Sequence, residues 1–167
     1  MNFDSLYDTQ LVLDRRILEE HGLTVEEIFP KKLLALQVEL CELANETRCF
    51  KYWSQKGSAP KARVLEEFVD ALHFVLGLGL DLGYRDVPIP ASVSSVSEPV
   101  SERELTMQFQ TLLTHCVALC APSRGAYATL FAELLALGKM LGFSEQEIQD
   151  AYLEKNKKNH LRQNEGY

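Results

Sequence analysis

The stretch from Val64 to Leu82 constrains this chain more than any other. It is apolar almost throughout, yet it carries Glu66, Glu67, Asp70, His73 and Asp81. Those charges are too many for a membrane span. A helix this apolar is buried on most sides, so other helices must surround it. Asp70 sits in the middle, in Phe68-Val-Asp-Ala-Leu-His-Phe-Val-Leu76. A buried carboxylate without a partner costs several kcal/mol, or its pKa shifts until it is neutral. The fold must therefore give Asp70 a cation, or let it leave through a narrow polar seam with Glu66, Glu67 and His73.

A second feature favours the cation. Glu67 and Asp70 stand at i, i+3, on one side of a helix, and Glu39 and Glu42 have the same spacing upstream. Between the pairs lies Trp53-Ser-Gln-Lys-Gly-Ser-Ala-Pro60, rich in turn formers. Helix, loop and helix make an antiparallel hairpin that brings the pairs face to face. Facing carboxylates repel unless a cation lies between them. All-oxygen donor sets suit hard divalent ions such as Mg²⁺.

The remaining chain reads as helices with clear punctuation. A first helix covers residues 3–21 and stops at Gly22. Gln10 and Asp14 are i, i+4 neighbours on its more polar side, which is either solvated or turned to a ligand. Thr24-Val-Glu-Glu27 has capping-box spacing for a short turn, and Pro30 then opens a helix to about Thr47. Leu33, Leu36, Leu40 and Leu43 form its core face, with Glu39, Glu42 and Glu46 on a separate acidic stripe. Trp53 is a packing anchor or a ligand contact. Lys56, Lys61 and Arg63 make that loop basic. Residues 61–82 form the second carboxylate helix, with Phe74 four residues beyond Asp70 on the same side. Gly77 and Gly79 weaken it and allow a close approach by a helix or ligand. Residues 83–100, rich in Pro and Ser, are expected to be an extended, mobile loop. Ser101-Glu-Arg-Glu104 and Ser144-Glu-Gln-Glu147 are capping boxes that start two further helices. Between them, residues 124–142 form an apolar helix that packs on the bundle or on a second subunit. Lys155, Asn159 and Arg162 share a face near the last helix's C-terminus. They suit either the helix dipole or a polyphosphate.

Composition narrows the function. The chain has 167 residues, 46% of them hydrophobic, which suffices for one packed domain over 1–167. A net charge of −7 argues against a nucleic-acid partner. No Cys-x-x-Cys occurs, so Cys41, Cys49, Cys116 and Cys120 are expected to be reduced, as in a cytoplasmic protein. The first residues include Asp4 and Asp8 and no apolar run, so no signal peptide is expected. No Gly-rich phosphate loop or dinucleotide fingerprint is present.

Together these residues resemble the all-α, MazG-like nucleotide pyrophosphohydrolases, whose signature is Glu-x-x-Glu followed some two dozen residues later by Glu-x-x-Asp. Three segments are similar to the dimeric dUTPase branch. They are Cys49-Phe-Lys-Tyr-Trp-Ser54, Asp70-Ala-Leu-His-Phe74 and the run from Lys155 to Tyr167, Lys-Asn-x-x-Asn-x-x-Arg-Gln-x-x-Gly-Tyr. The resemblance implies an all-α bundle of about six helices with a four-helix core, as a homodimer. It implies hydrolysis of dUTP to dUMP and pyrophosphate, with dUDP as a further substrate. Glu39, Glu42, Glu67 and Asp70 would hold two or three Mg²⁺ ions, and Glu39 would orient or deprotonate the attacking water. Phe74 would stack on uracil, with Trp53 and His73 nearby and Gln10 and Asn159 facing the nucleoside. Asp14 stands where members often carry Asn. Lys155, Asn156, Arg162 and Tyr167 would hold phosphate oxygens as residues 155–167 close over the site. A sibling pyrophosphatase with another base specificity and a non-catalytic helical adaptor are the competing readings.

Overall fold

The computed structural model describes residues 1–89 and 100–166 and contains six α-helices among them. They are α1 (Phe3–His21), α2 (Val25–Thr47), α3 (Lys61–Asp81), α4 (Glu102–Ala118), α5 (Arg124–Met140) and α6 (Glu145–Asn164). The chain is an all-α bundle, as the helical periodicity requires. Three capping boxes place helix starts, each with its side chain bound to the third residue's N–H: Thr24, Ser101 and Ser144. Gly22 ends α1 in the left-handed conformation that lacks a Cβ penalty.

The sequence reading split residues 24–47 at Pro30, and the structure corrects this. Helix α2 runs unbroken from Val25 with Pro30 inside it. The Thr24 capping box already nucleates the helix, and a proline in its second turn removes one backbone hydrogen bond close to an end where carbonyls reach water.

Helix α3 occupies the centre, packed against α1, α2, α5 and α6. Phe68, Val69, Leu72, Val75, Leu76 and Leu78 are fully buried along it. Helices α2 and α3 form the expected hairpin, and α4 and α5 form a second. Helix α5 buries Tyr127, Leu130, Phe131, Leu134 and Leu137 in the bundle. The α3 glycines serve close packing. A Cβ at Gly79 would overlap the Tyr127 hydroxyl, which donates to the Val75 carbonyl at 3.1 Å.

Of the segment expected to be a loose loop, residues 90–99 lie outside the described residues. Its beginning is anchored. Val87 is buried, and Arg85 pairs with Asp8 of α1 at 2.6 Å. No single helix among the described residues is long and apolar enough to cross a membrane. All four cysteines are free thiols.

Candidate functional site

The α2–α3 hairpin brings Glu39, Glu67 and Asp70 together. Each offers one carboxylate oxygen, and these oxygens lie within 4.8 Å of one another. The register of two antiparallel helices produces this: Glu39 leaves the Leu36–Leu40–Leu43 core stripe on its flank, and α3 presents Glu67 and Asp70 one turn apart. Glu42, the fourth predicted acid, is exposed at the rim rather than in the cluster, but its charge still reaches Glu39 and Glu67.

Burial and crowding penalise the charged forms. Burial first, then repulsion from Asp70, Glu42 and Glu67, lifts Glu39 to about 7. Burial likewise raises Glu67 and Asp70. Two cations answer this. Lys155 of α6 donates to Asp70 at 2.6 Å and to Glu66 at 3.3 Å. Arg63, one turn before the cluster on α3, pairs with Glu66 at 3.1 Å, with Glu46 at 3.5 Å and with Glu67. Lys61, the first residue of α3, pairs with Glu147 at 2.6 Å. Glu39 forms no ion pair among the described residues. A cluster of hard oxygen donors with one acid uncompensated fits a divalent cation.

A cavity of about 420 Å³ opens from this cluster. Glu39 and Asp70 stand at its edge, and Leu13, Ile17, Ile28, Ala35, Phe74 and Gly77 supply apolar wall. Helix α6 adds Asn159, Arg162 and Gln163. The wall also carries a buried polar chain. Gln10 and Asp14, candidates for a solvated face, are only 4% and 9% exposed. Gln10 donates to Asp14 at 2.8 Å and accepts from the Tyr152 hydroxyl at 2.7 Å. His73 lies 2.7 Å from the same Gln10 oxygen, and its ring stacks on Tyr152 with centroids 4.1 Å apart. Burial, and secondarily the Lys155 charge, depress His73 to about 3, so it is neutral at physiological pH. Lys32 then donates to Asp14 at 2.8 Å and to Asp81.

The structure thus gathers Gln10, Glu39, Asp70, His73, Phe74, Asn159 and Arg162 around one cavity. Lys155 sits at the carboxylates, and Asn156 is buried beside it without lining the cavity. Trp53 is not gathered. It is 65% exposed and stacks edge-on with Tyr52 and Phe50. Tyr167 lies outside the described residues. Lys32 and Asp81 escaped the sequence reading as site residues. Lys32 precedes Glu39 by seven residues and Asp81 lies beyond Gly77, but this spacing does not pair them across two helices.

No curated protein matches the chain. The model of the family described as dUTPase matches residues 2–167. The chain belongs to the dUTPase family, and with it to the dUTP diphosphatases.

Proposed function

We propose that dUTP is cleaved to dUMP and pyrophosphate at the Glu39–Glu67–Asp70 cluster, with the nucleoside in the adjoining cavity. The observation that carries this is continuity. Two of the acids that fit a divalent cation, Glu39 and Asp70, line the same cavity as the apolar wall with Phe74, overhung by cationic α6. Glu39, Glu67 and Asp70, with Glu42 from the rim, would hold the Mg²⁺ ions. Bound divalent cations supply charge neutralisation for the triphosphate and acidify an attacking water. Glu39, which forms no ion pair among the described residues, would accept the water proton as oxygen attacks the α-phosphorus and the bond to the β-phosphate oxygen breaks. Arg162 and Lys155 take up phosphate oxygens, and Asn156 and Tyr167 would complete that end of the site. Phe74 stacks on the base, beside His73, Gln10 and Asn159. The same phosphate machinery accommodates dUDP. Exposed Leu34 and Val38, one turn apart on α2, support a homodimer.

The test is product release from a panel of nucleotides with Mg²⁺ and with EDTA. Metal-dependent hydrolysis of dUTP, with dTTP, dCTP and UTP spared, is the expected result. Hydrolysis centred on another nucleotide would move the chain to a sibling specificity and sink the base assignment. Folded protein inactive on every nucleotide would sink the catalytic reading.

A further inference from the structure

The buried chain from Tyr152 to Asp81 contains a pair that the phosphate chemistry does not use. Lys32 and Asp14 both line the cavity, with ammonium and carboxylate 2.8 Å apart. Asp81, 2.9 Å from the same ammonium, backs the pair from outside the lining. An ammonium has three N–H donors, and these carboxylates engage two of them. Each oxygen of Asp14 takes one donor, from Gln10 or Lys32, and keeps acceptor capacity. The fold makes room for this pair. A Cβ at Gly77 would stand 3.0 Å from the Asp14 oxygen and 3.3 Å from the Lys32 ammonium.

Its position along the cavity is defined twice. On α3, Asp70, Phe74 and Gly77 follow at i, i+4 and i+7. On α2, Lys32 and Glu39 are also seven residues apart, running the other way. Both helices separate the carboxylates from the Lys32–Asp14 pair by about two turns, roughly 10 Å. Phe74 stands between them. A nucleotide with its phosphates at the acids and its ring on Phe74 would turn its base edge towards Lys32 and Asp14.

We infer that Lys32 and Asp14 form a donor–acceptor pair that reads the pyrimidine edge, making Lys32 a specificity-determining residue for the reaction. This rests on the base placement proposed above. Uracil presents O4, an acceptor, beside N3–H, a donor, and both match: Lys32 donates to O4 and Asp14 accepts from N3–H. Cytosine presents an amino donor beside an acceptor nitrogen, so it meets Lys32 with a donor and Asp14 with a lone pair. Buried polar groups left unmet in this way discriminate far more strongly than a change in apolar fit.

The experiment compares kcat/KM for dUTP and dCTP, with saturating Mg²⁺, in the full-length protein and in Lys32→Met. The preference for dUTP is expected to fall about 100-fold or more. A second variant, Asp14→Leu/Lys32→Met/Asp81→Leu, replaces the whole charged group by apolar side chains, which leaves no bare charge to unfold the bundle. It is expected to lose the preference to the same extent, with hydrolysis of both nucleotides still abolished by EDTA. A folded variant of either kind that keeps the wild-type ratio within threefold overturns the inference and leaves Lys32 a structural ion-pair partner. A wild-type protein that does not prefer dUTP would instead remove the base placement on which the inference rests.

Discussion

The two ends of the cavity handle buried charge in opposite ways. At the Lys32 end, Asp14, Lys32 and Asp81 close on one another, and Gln10 and Tyr152 extend the chain of donors and acceptors. At the carboxylate end the acids outnumber Lys155 and Arg63, and Glu39 is left with a pKa lifted to about 7. A network whose charges pair with one another holds one geometry and suits recognition. An unsatisfied one stores repulsion that a cation relieves, which suits binding and chemistry. Lys155 and Arg63 hold the acids together in the meantime, and Lys155 comes from the helix that also carries the cationic wall.

The sharpest way to break this contrast is Glu39→Gln. It removes the clustered acid that forms no ion pair among the described residues, so kcat on dUTP should fall about 1,000-fold or more while the metal-free protein becomes more heat-stable at pH 7.5. Activity retained, or stability lost, would show that Glu39 was not surplus charge. Phe74→Ala removes the wall between the two ends. Base–aromatic stacking contributes about 1–3 kcal/mol, so KM should rise roughly 10–100-fold with the helical CD signal unchanged. An unaltered KM would take Phe74 out of base binding. Arg162→Ala should raise KM about tenfold through loss of a charge-assisted phosphate contact, and the loss should shrink as salt increases.

The smallest effect is thermodynamic. The folded-state pKa of Glu39 is raised above its unfolded value near 4.5, so folding takes up a proton there. The stability this gives is fully present below about 4.5 and is lost as pH rises through about 7. A divalent ion needs the deprotonated acid. Mg²⁺ at a hundredfold excess over its Kd should therefore raise the melting temperature by roughly 5–10 °C at pH 7.5, and by clearly less at pH 5.5. Equal shifts at both pH values would place the ion elsewhere.

Local chemistry made much of this legible. Capping boxes at Thr24, Ser101 and Ser144 marked three helix starts, and i, i+3 spacing with a turn-rich break placed Glu39, Glu67 and Asp70 across a hairpin. Pro30 misled because a strong cap upstream outweighs one missing N–H. Trp53 could not be placed from sequence because a loop aromatic has no periodicity to assign it a face. Lys32 and Asp81 were invisible for another reason. Their partnership spans 49 residues and two helices, and no local pattern reports which lysine will reach a carboxylate on a different helix.

Helix α6 makes one more point. Its Lys155 meets Asp70 across 85 residues, and its Tyr152 meets Gln10 across 142. Contacts this distant in the chain carry the largest loop-closure entropy. The α2–α3 hairpin can form early from neighbouring segments, but its acids gain Lys155 only once the α4–α5 hairpin has been passed and α6 has docked. Any partial opening that frees α6 therefore takes Lys155 from Asp70 and Tyr152 from Gln10 while the α2–α3 hairpin stays paired.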